Sequence, residues 1–338
     1  MAEEIAEPRV IDALEADDDD VGESVSVLGD AASSTASISE SILDYRRENG
    51  RTYHSYKDGT YHFPNDHSEN ERLDLQHHIF YLTFDGKLGL SPPCQGQFKA
   101  ARVLDVGTGT GIWAIDFGDE YPESQIIGID LSPTQPSFVP ANVSFLIDDL
   151  EDVWTFSQPF DFIHNRMMNS SISDWPAFIK KSFDNLNPGG YLELQDFGLP
   201  LSDDGTLKPE QALQRSMALL GEAAAKSNHA FVDLASLKTL LTEAGFEDVT
   251  EVRYKWALNT WPRDKKNKEL GLWNNVNMHQ GMSGFLMAAL TRGLGWAKED
   301  VDTLVAQVNI DMDDRSIHSY NPIYIVYGRK PQSSASTG

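Results

Sequence analysis

The stretch VLDVGTGTGIWAID (Val103–Asp116) runs from a β-branched segment through a glycine-rich turn into a helical pattern. Gly107, Gly109 and Gly111 let the backbone turn tightly and let a ligand approach the main chain closely. The helix that opens beyond them offers unpaired N–H groups to an electronegative ligand. A tight strand-to-helix turn with no ligand is the plainer alternative, so the surroundings decide. The spacing is G-x-G-x-G, whereas the pyrophosphate fingerprint G-x-G-x-x-G would need its third glycine at Ile112. Asp130 ends the next strand, 19 residues after Gly111, where a carboxylate can accept both ribose hydroxyls. Asp105, two residues ahead of Gly107, would repel a pyrophosphate but suits a ligand bearing an ammonium and a sulfonium. Together these features point to S-adenosylmethionine rather than a nicotinamide dinucleotide.

Outward from this motif, strands alternate with helices. VLDVG (103–107), QIIGID (125–130), VSFLID (143–148), FDFIH (160–164) and GYLELQD (190–196) are short β-branched or aromatic runs. GIWAIDFGDEY lies between the first two, and Trp175, Phe178, Ile179 and Phe183 stand at helical spacing before the fifth. Strands spaced by helices predict an α/β fold, a parallel sheet with helices on both faces. Two helices follow, EQALQRSMALLGEAAA after Pro209 and LASLKTLLTEAG closed by Gly245, then strands EVRYKWAL (251–258) and PIYIVYGR (322–329). The insertion between those strands, about 259–318, carries two more helical patterns, 266–292 and 298–308. RDKKNK (263–268) reads as a solvated loop, too short a basic run to argue nucleic acid. Trp261, Trp273, Trp296 and Tyr254 read as core or pocket wall.

The 338 residues carry 27 Lys+Arg against 52 Asp+Glu, a net charge of −25, which is a poor basis for gripping nucleic-acid phosphates or anionic lipid. Residues 1–44 hold 13 of the acids against one base, Arg9, and residues 1–40 are expected to be a disordered acidic tail. Residues 41–95 are expected to form a helical or lid segment: a weak helical signal begins around Ser39 or Ser41, and a helix through 73–82 closes near Gly86. Residues 96–332 would be the catalytic domain and 333–338 a second loose end. A single cysteine, Cys94, excludes an intrachain disulfide and a zinc cluster, and no metal site is expected. The opening MAEEIAEPRV has neither a basic nor an apolar leader region, and no apolar run approaches the roughly 20 residues that span a bilayer, so a soluble intracellular protein without membrane contact is expected.

The chain resembles class I methyltransferases, and within them the fungal LaeA-like, velvet-associated group. The general features are the D-x-G-x-G-x-G loop, Asp130, the Asp148–Asp149 pair and NPGG before the fifth strand. The group-specific features are NGRTYHSYKDGTYHFPND and ERLDLQHHIFYLTFDGKL, then IDDLED and FDFIHNR, so the resemblance runs from about Tyr45 to Lys330. It implies a Rossmann-like, seven-stranded sheet of order 3-2-1-4-5-7-6, with PIYIVYGR inserted antiparallel. It also implies that Asp105, Gly107, Thr108, Gly109 and Gly111 hold the methionine part of S-adenosylmethionine. Asp130 with Leu131 would take the ribose, and Asp148 and Asp149 the adenine end; one of that acidic pair is also expected to cap the next helix.

Tyr53 and His54 precede the domain where a lid folds over the cofactor, and they are candidates for contact with it. His164, Asn165 and Arg166 end the fourth strand and should face the crevice outside the carboxyl strand ends, as weak catalytic candidates. Arg166 could instead pair with Asp174. His77 and His78 read as structural. No catalytic signature matches the cofactor signature in strength, and NPPY is absent, its place reading HNRM. The expected activity is methyl transfer to a small metabolite or a protein in fungal secondary metabolism or development. The alternative is a regulatory subunit of a velvet-type complex, cytoplasmic or nuclear, whose cofactor fold serves as a binding module.

Overall fold

The computed structural model describes residues 9–10, 14, 45–54, 63–226 and 230–332. At its centre is strand β4 (Arg102–Val106), bonded in parallel to β5 (Gln125–Asp130) on one side and β7 (Phe160–Arg166) on the other. The parallel set continues through β6 (Val143–Ile147) beyond β5 and β8 (Leu186–Phe197) beyond β7. β10 (Tyr320–Arg329) inserts antiparallel between β8 and β9 (Glu247–Ala257), with Ile323 opposite Phe197 on one side and Tyr254 on the other. The order β6-β5-β4-β7-β8-β10-β9 is the expected 3-2-1-4-5-7-6.

The period-2 alternation of β10 sorts the two faces. Ile323 and Ile325 pack with Ile79 and Phe80 of α1 (His67–Thr83) and Leu270 of α6 (Lys265–Ala288). Tyr324 and Val326 join the opposite face, where α3 (Trp175–Asp184) buries Trp175, Phe178 and Ile179 beside Leu237 and Leu241 of α5 (Leu237–Glu243). α3 starts where it does because Asp174 accepts the Ala177 N–H and Pro176 occupies its first turn. On the α1 face, α2 (Ile112–Glu120) sets Trp113 and Phe117 against Val103, Ile126 and Phe162. The insertion forms its own apolar cluster: α6 and α7 (Lys298–Asp313) pack with α4 (Ala212–Lys226) through Met278, Met282, Val301 and Leu213.

Several expectations are corrected. Within the segment 1–40 expected to be a disordered acidic tail, the rest of which lies outside the described residues, β1 (Arg9–Val10) adds an eighth strand, parallel to β9 at Val252 and Arg253, and Leu14 lies against Ala257, Trp261 and Tyr320. β9 would otherwise present an unpaired strand edge, which is a template for such pairing. Residues 46–53 are a hairpin of β2 (Arg46–Glu48) and β3 (Arg51–Tyr53), because Asn49 and Gly50 both take positive φ, the signature of a two-residue turn. The helical signal near Ser39 lies outside the described residues. RDKKNK is no loop: Asp264 caps α6 by accepting the Asn267 N–H, and Lys265–Lys268 form its first turn.

Gly271, inside α6, shows packing overriding propensity. A Cβ there would sit 2.2 Å from the Asn259 carbonyl oxygen. Gly271→Ala, which propensity alone would favour by about 1 kcal/mol, is therefore expected to destabilise by about 1–3 kcal/mol through overpacking. A chemical denaturation curve with an unchanged or raised midpoint would contradict this.

Candidate functional site

The loop between β4 and α2 turns on three glycines at positive φ, 71° at Gly107, 57° at Gly109 and 82° at Gly111. The β5 end locks it. Asp130 Oδ2 accepts the Gly109 N–H at 2.9 Å, while Asp130 Oδ1 accepts the Ser132 N–H at 2.9 Å. The Gly109 carbonyl in turn accepts from Thr134 Oγ1 and Gln135 Nε2. From above, α1 is tied to the loop by Thr110 Oγ1 donating to Asp74 Oδ1 at 2.7 Å.

Between this loop and the start of α1 lies a cleft, open to solvent at its mouth, of about 940 Å³ with the mouth included. Of the residues expected to hold a cofactor, Gly107, Gly109, Asp130, Leu131, Asp148 and Asp149 line it, and so does Arg166. An adenosyl group fits on the chemistry present. A Cβ on Gly109 would make an ordinary contact with Leu73 Cδ1, at 3.5 Å, and Gly109 itself lines the cleft wall. Each oxygen of Asp130 accepts one backbone N–H and keeps acceptor capacity for a ribose hydroxyl. Asp148 and Asp149 stand at the β6 end, but neither caps a helix: they close a turn, accepting the N–H groups of Asp149 and Glu151.

Other expected residues lie elsewhere. Asp105 is buried beneath the loop and does not line the cleft; Oδ1 bonds His164 Nδ1 at 2.7 Å and Oδ2 accepts from Thr108 Oγ1 at 2.6 Å. The pleat of β4 turns it toward β7, so it braces the loop together with Thr108. Gly111 caps α2 and faces Phe145. His164 is fully buried, with its ring stacked on Trp113 at 3.7 Å, and Asn165 is buried against the Val106 carbonyl, so neither reaches the crevice. Tyr53 and His54 are buried away from it, and Tyr53 lies under the Arg292 guanidinium. The segment instead brings Pro64, Asn65, Asn70 and Leu73 to the cleft. The signal for them was HFPND running into the helix, with Asp66 as its N-cap.

Arg166 does not pair with Asp174. Its Nε donates to Gln195 Oε1 at 2.8 Å, Nη1 to His77 Nδ1 at 2.9 Å and Nη2 to the Leu88 carbonyl, with the guanidinium over the Phe80 ring. Because His77 Nδ1 accepts, its Nε2–H donates to Asp116 Oδ2 at 2.9 Å, and burial holds the imidazole pKa down. Burial lowers Arg166 to about 10, so it stays cationic at neutral pH.

Burial pushes Asp130 up to about 6, against the backbone N–H groups it accepts from. Ribose hydroxyls donate to the ionised form, so binding draws Asp130 down and releases its proton. Cofactor affinity is expected to be flat above about pH 7 and to fall toward pH 5, by up to about tenfold per unit. Titration calorimetry at stepped pH checks this; affinity rising on acidification would contradict it.

A second cavity, about 670 Å³ with its solvent-open mouth included, adjoins the cleft, with Leu73 and Met167 lining both. Among the described residues no helix is long and apolar enough to cross a membrane, and no His, Cys, Asp or Glu cluster is placed to hold a metal.

Residues 75–251 match the family model described as a methyltransferase domain. The chain is 40% identical over 304 residues to methyltransferase pytC of Aspergillus terreus, covering 89% of this chain and 93% of that protein. It is 36% identical over 290 residues to secondary metabolism regulator LAE1 of Cochliobolus heterostrophus, covering 84% and 94% respectively. Among solved structures, phosphoethanolamine N-methyltransferase 2 of Haemonchus contortus aligns over 78% of this chain and 53% of that one, at 18% identity and a TM-score of 0.44.

Proposed function

Because the chain belongs to the methyltransferase family, we propose that it transfers a methyl group from S-adenosylmethionine to a small molecule of fungal secondary metabolism. The observation that carries this reading is Asp130 at the end of β5, buttressed by the Gly109 and Ser132 N–H groups in the wall of the cleft that Gly107 and Gly109 also line.

The bound cofactor supplies a methyl group already made electrophilic by its sulfonium, so the protein's task is aim and exclusion of water. Proximity and alignment of this kind supply up to about 7–11 kcal/mol in intramolecular models. Asp130 takes the ribose hydroxyls, and Asp148 and Asp149 bound the adenine end. Gly109 admits the ligand to the main chain, while Pro64, Asn65, Asn70 and Leu73 roof the cleft. Arg166, cationic and facing the cleft, suits the carboxylate of the methionine part.

The similarity to a protein named as a secondary metabolism regulator favours a second reading, in which the same fold serves in a velvet-type complex in the cytoplasm, the nucleus or both. One experiment separates them. The full chain is incubated with methyl-labelled S-adenosylmethionine and a fungal extract, and the small-molecule and protein fractions are counted apart. Label in the small-molecule fraction supports the first reading. No transfer, with capture of a velvet-type protein, supports the second.

A further inference from the structure

The second cavity is walled by Phe63, Phe197, Phe231, Phe285, Met217 and Met278, drawn from the approach to α1, the β8 end, α4, the chain beyond α4 at Phe231, and α6. Three ionisable residues face it: Glu69 and Arg72 from α1, and Asp196 from β8. Glu69 and Arg72 are closed on each other, with Arg72 Nη2 donating to Glu69 Oε1 at 2.7 Å and Nη1 to Asn277 Oδ1 at 2.8 Å. Asn169 is spent on the Val232 backbone. β7, α4 and α6 contribute no charge to the lining.

Asp196 differs from these. Its oxygens accept only backbone N–H groups, Met168 N to Oδ2 at 2.9 Å, Phe197 N to Oδ1 at 2.9 Å and the Asn169 N–H, and among the described residues no cation pairs with it. Each oxygen keeps acceptor capacity. Burial pushes its carboxyl up to about 7, where a general base works best near neutral pH. The chain is bent to place it: Met167 holds φ 59°, a left-handed conformation costly for a side chain of that size. That bend turns the Met168 N–H onto Asp196 and sets Met167 where the two cavities meet.

We propose that the second cavity is the methyl-acceptor site, that it takes a neutral, ring-bearing phenol, and that Asp196 is the base receiving the phenolic proton. This rests on the methyl-transfer reading above. A phenol keeps its proton at neutral pH, so its oxygen needs a base, and mostly apolar walls, with Gln76 and Ser170 as neutral polar groups and Asp196 as the one carboxylate without a cation, suit a neutral ring bearing an acidic hydroxyl. The phenolic oxygen forms the new C–O bond, and the methyl–sulfur bond breaks with its electron pair going to sulfur, which becomes a thioether. The hydroxyl proton passes to Asp196 and then to solvent once the aryl methyl ether departs.

The probe is 2-naphthol, a phenol that becomes a strong acid on excitation and whose ionised form emits at longer wavelength. With the full chain and no cofactor, bound 2-naphthol is expected to show long-wavelength emission above about pH 7. That emission should fade below pH 7 as Asp196 takes its own proton. In Asp196→Asn the bound probe should emit in the neutral form. Met217→Trp, which fills the cavity, should weaken probe binding at least tenfold while S-adenosylmethionine binding is kept, so a misfolded Asp196→Asn would leave the site testable. Absence of binding to the wild type, undiminished binding by Met217→Trp, or equal emission from wild type and a folded Asp196→Asn would overturn the proposal. Retained S-adenosylmethionine binding in those cases would leave the methyl-transfer reading standing.

Discussion

Asp130→Ala is expected to lower S-adenosylmethionine affinity by about 10²–10⁴-fold, with the fold kept. The substitution removes two charge-assisted hydrogen bonds to ribose, each worth about 1.5–3 kcal/mol, and about 1.4 kcal/mol is tenfold in a dissociation constant. It also frees the Gly109 and Ser132 N–H groups, loosening the turn that presents the glycine loop. Because Gly109, Asp130 and Ser132 all line the cleft, water can replace the carboxylate on those donors once it is gone, so the thermal transition should move by only a few degrees. Asp130→Asn, which keeps an acceptor oxygen but loses the charge, should fall between the two. Calorimetry on both folded variants checks the order; unchanged affinity in Asp130→Ala would remove the residue from the site.

Glu193→Ala is expected to have the largest effect on stability. Glu193 is fully buried on β8 and accepts the N–H groups of Leu90 and Ser91, each at 2.9 Å, and Gln195 Nε2 at 2.8 Å. Those bonds pin the 88–91 segment, whose Leu88 carbonyl accepts from Trp113 Nε1, Arg166 Nη2 and Gln195 Nε2. Truncation strands the buried Ser91 N–H, takes an acceptor from the part-buried Leu90 N–H and from Gln195 Nε2, which keeps the Leu88 carbonyl, and removes the anion beside Arg166, a loss of about 3–5 kcal/mol by analogy with broken buried pairs. At about 2–4 °C per kcal/mol for a domain of this size, the melting temperature should fall by roughly 6–20 °C. A drop under about 2 °C in scanning calorimetry would show that the segment is held by other means.

The glycine loop, the strands and Asp130 were legible because local chemistry dictates them: β-branched runs, a G-x-G-x-G turn and a carboxylate at a strand end. Which face a strand residue takes is a tertiary matter. Asp105 and His164 read as site residues, yet the pleat turns them toward each other beneath the loop. Tyr53 and His54 fell on the right segment, but packing brings Pro64 and Asn65 to the cleft. The hairpin at Asn49–Gly50 was written in the sequence and masked by the weak helical pattern ahead of it. Asp196 closes GYLELQD, and the strand-end rule applied to 164–166 points to it equally. What the sequence could not display was the apolar enclosure around that carboxylate, which α4 and α6 build from residues remote along the chain.

The central claim is that the cleft over Gly107 and Gly109 is a site for S-adenosylmethionine and not for a dinucleotide. Its most direct test is titration calorimetry of the full chain with S-adenosylmethionine, repeated in the presence of excess NAD. The predicted result is saturable binding at one site per chain, unaffected by NAD. Absence of binding, or displacement by NAD, would contradict it.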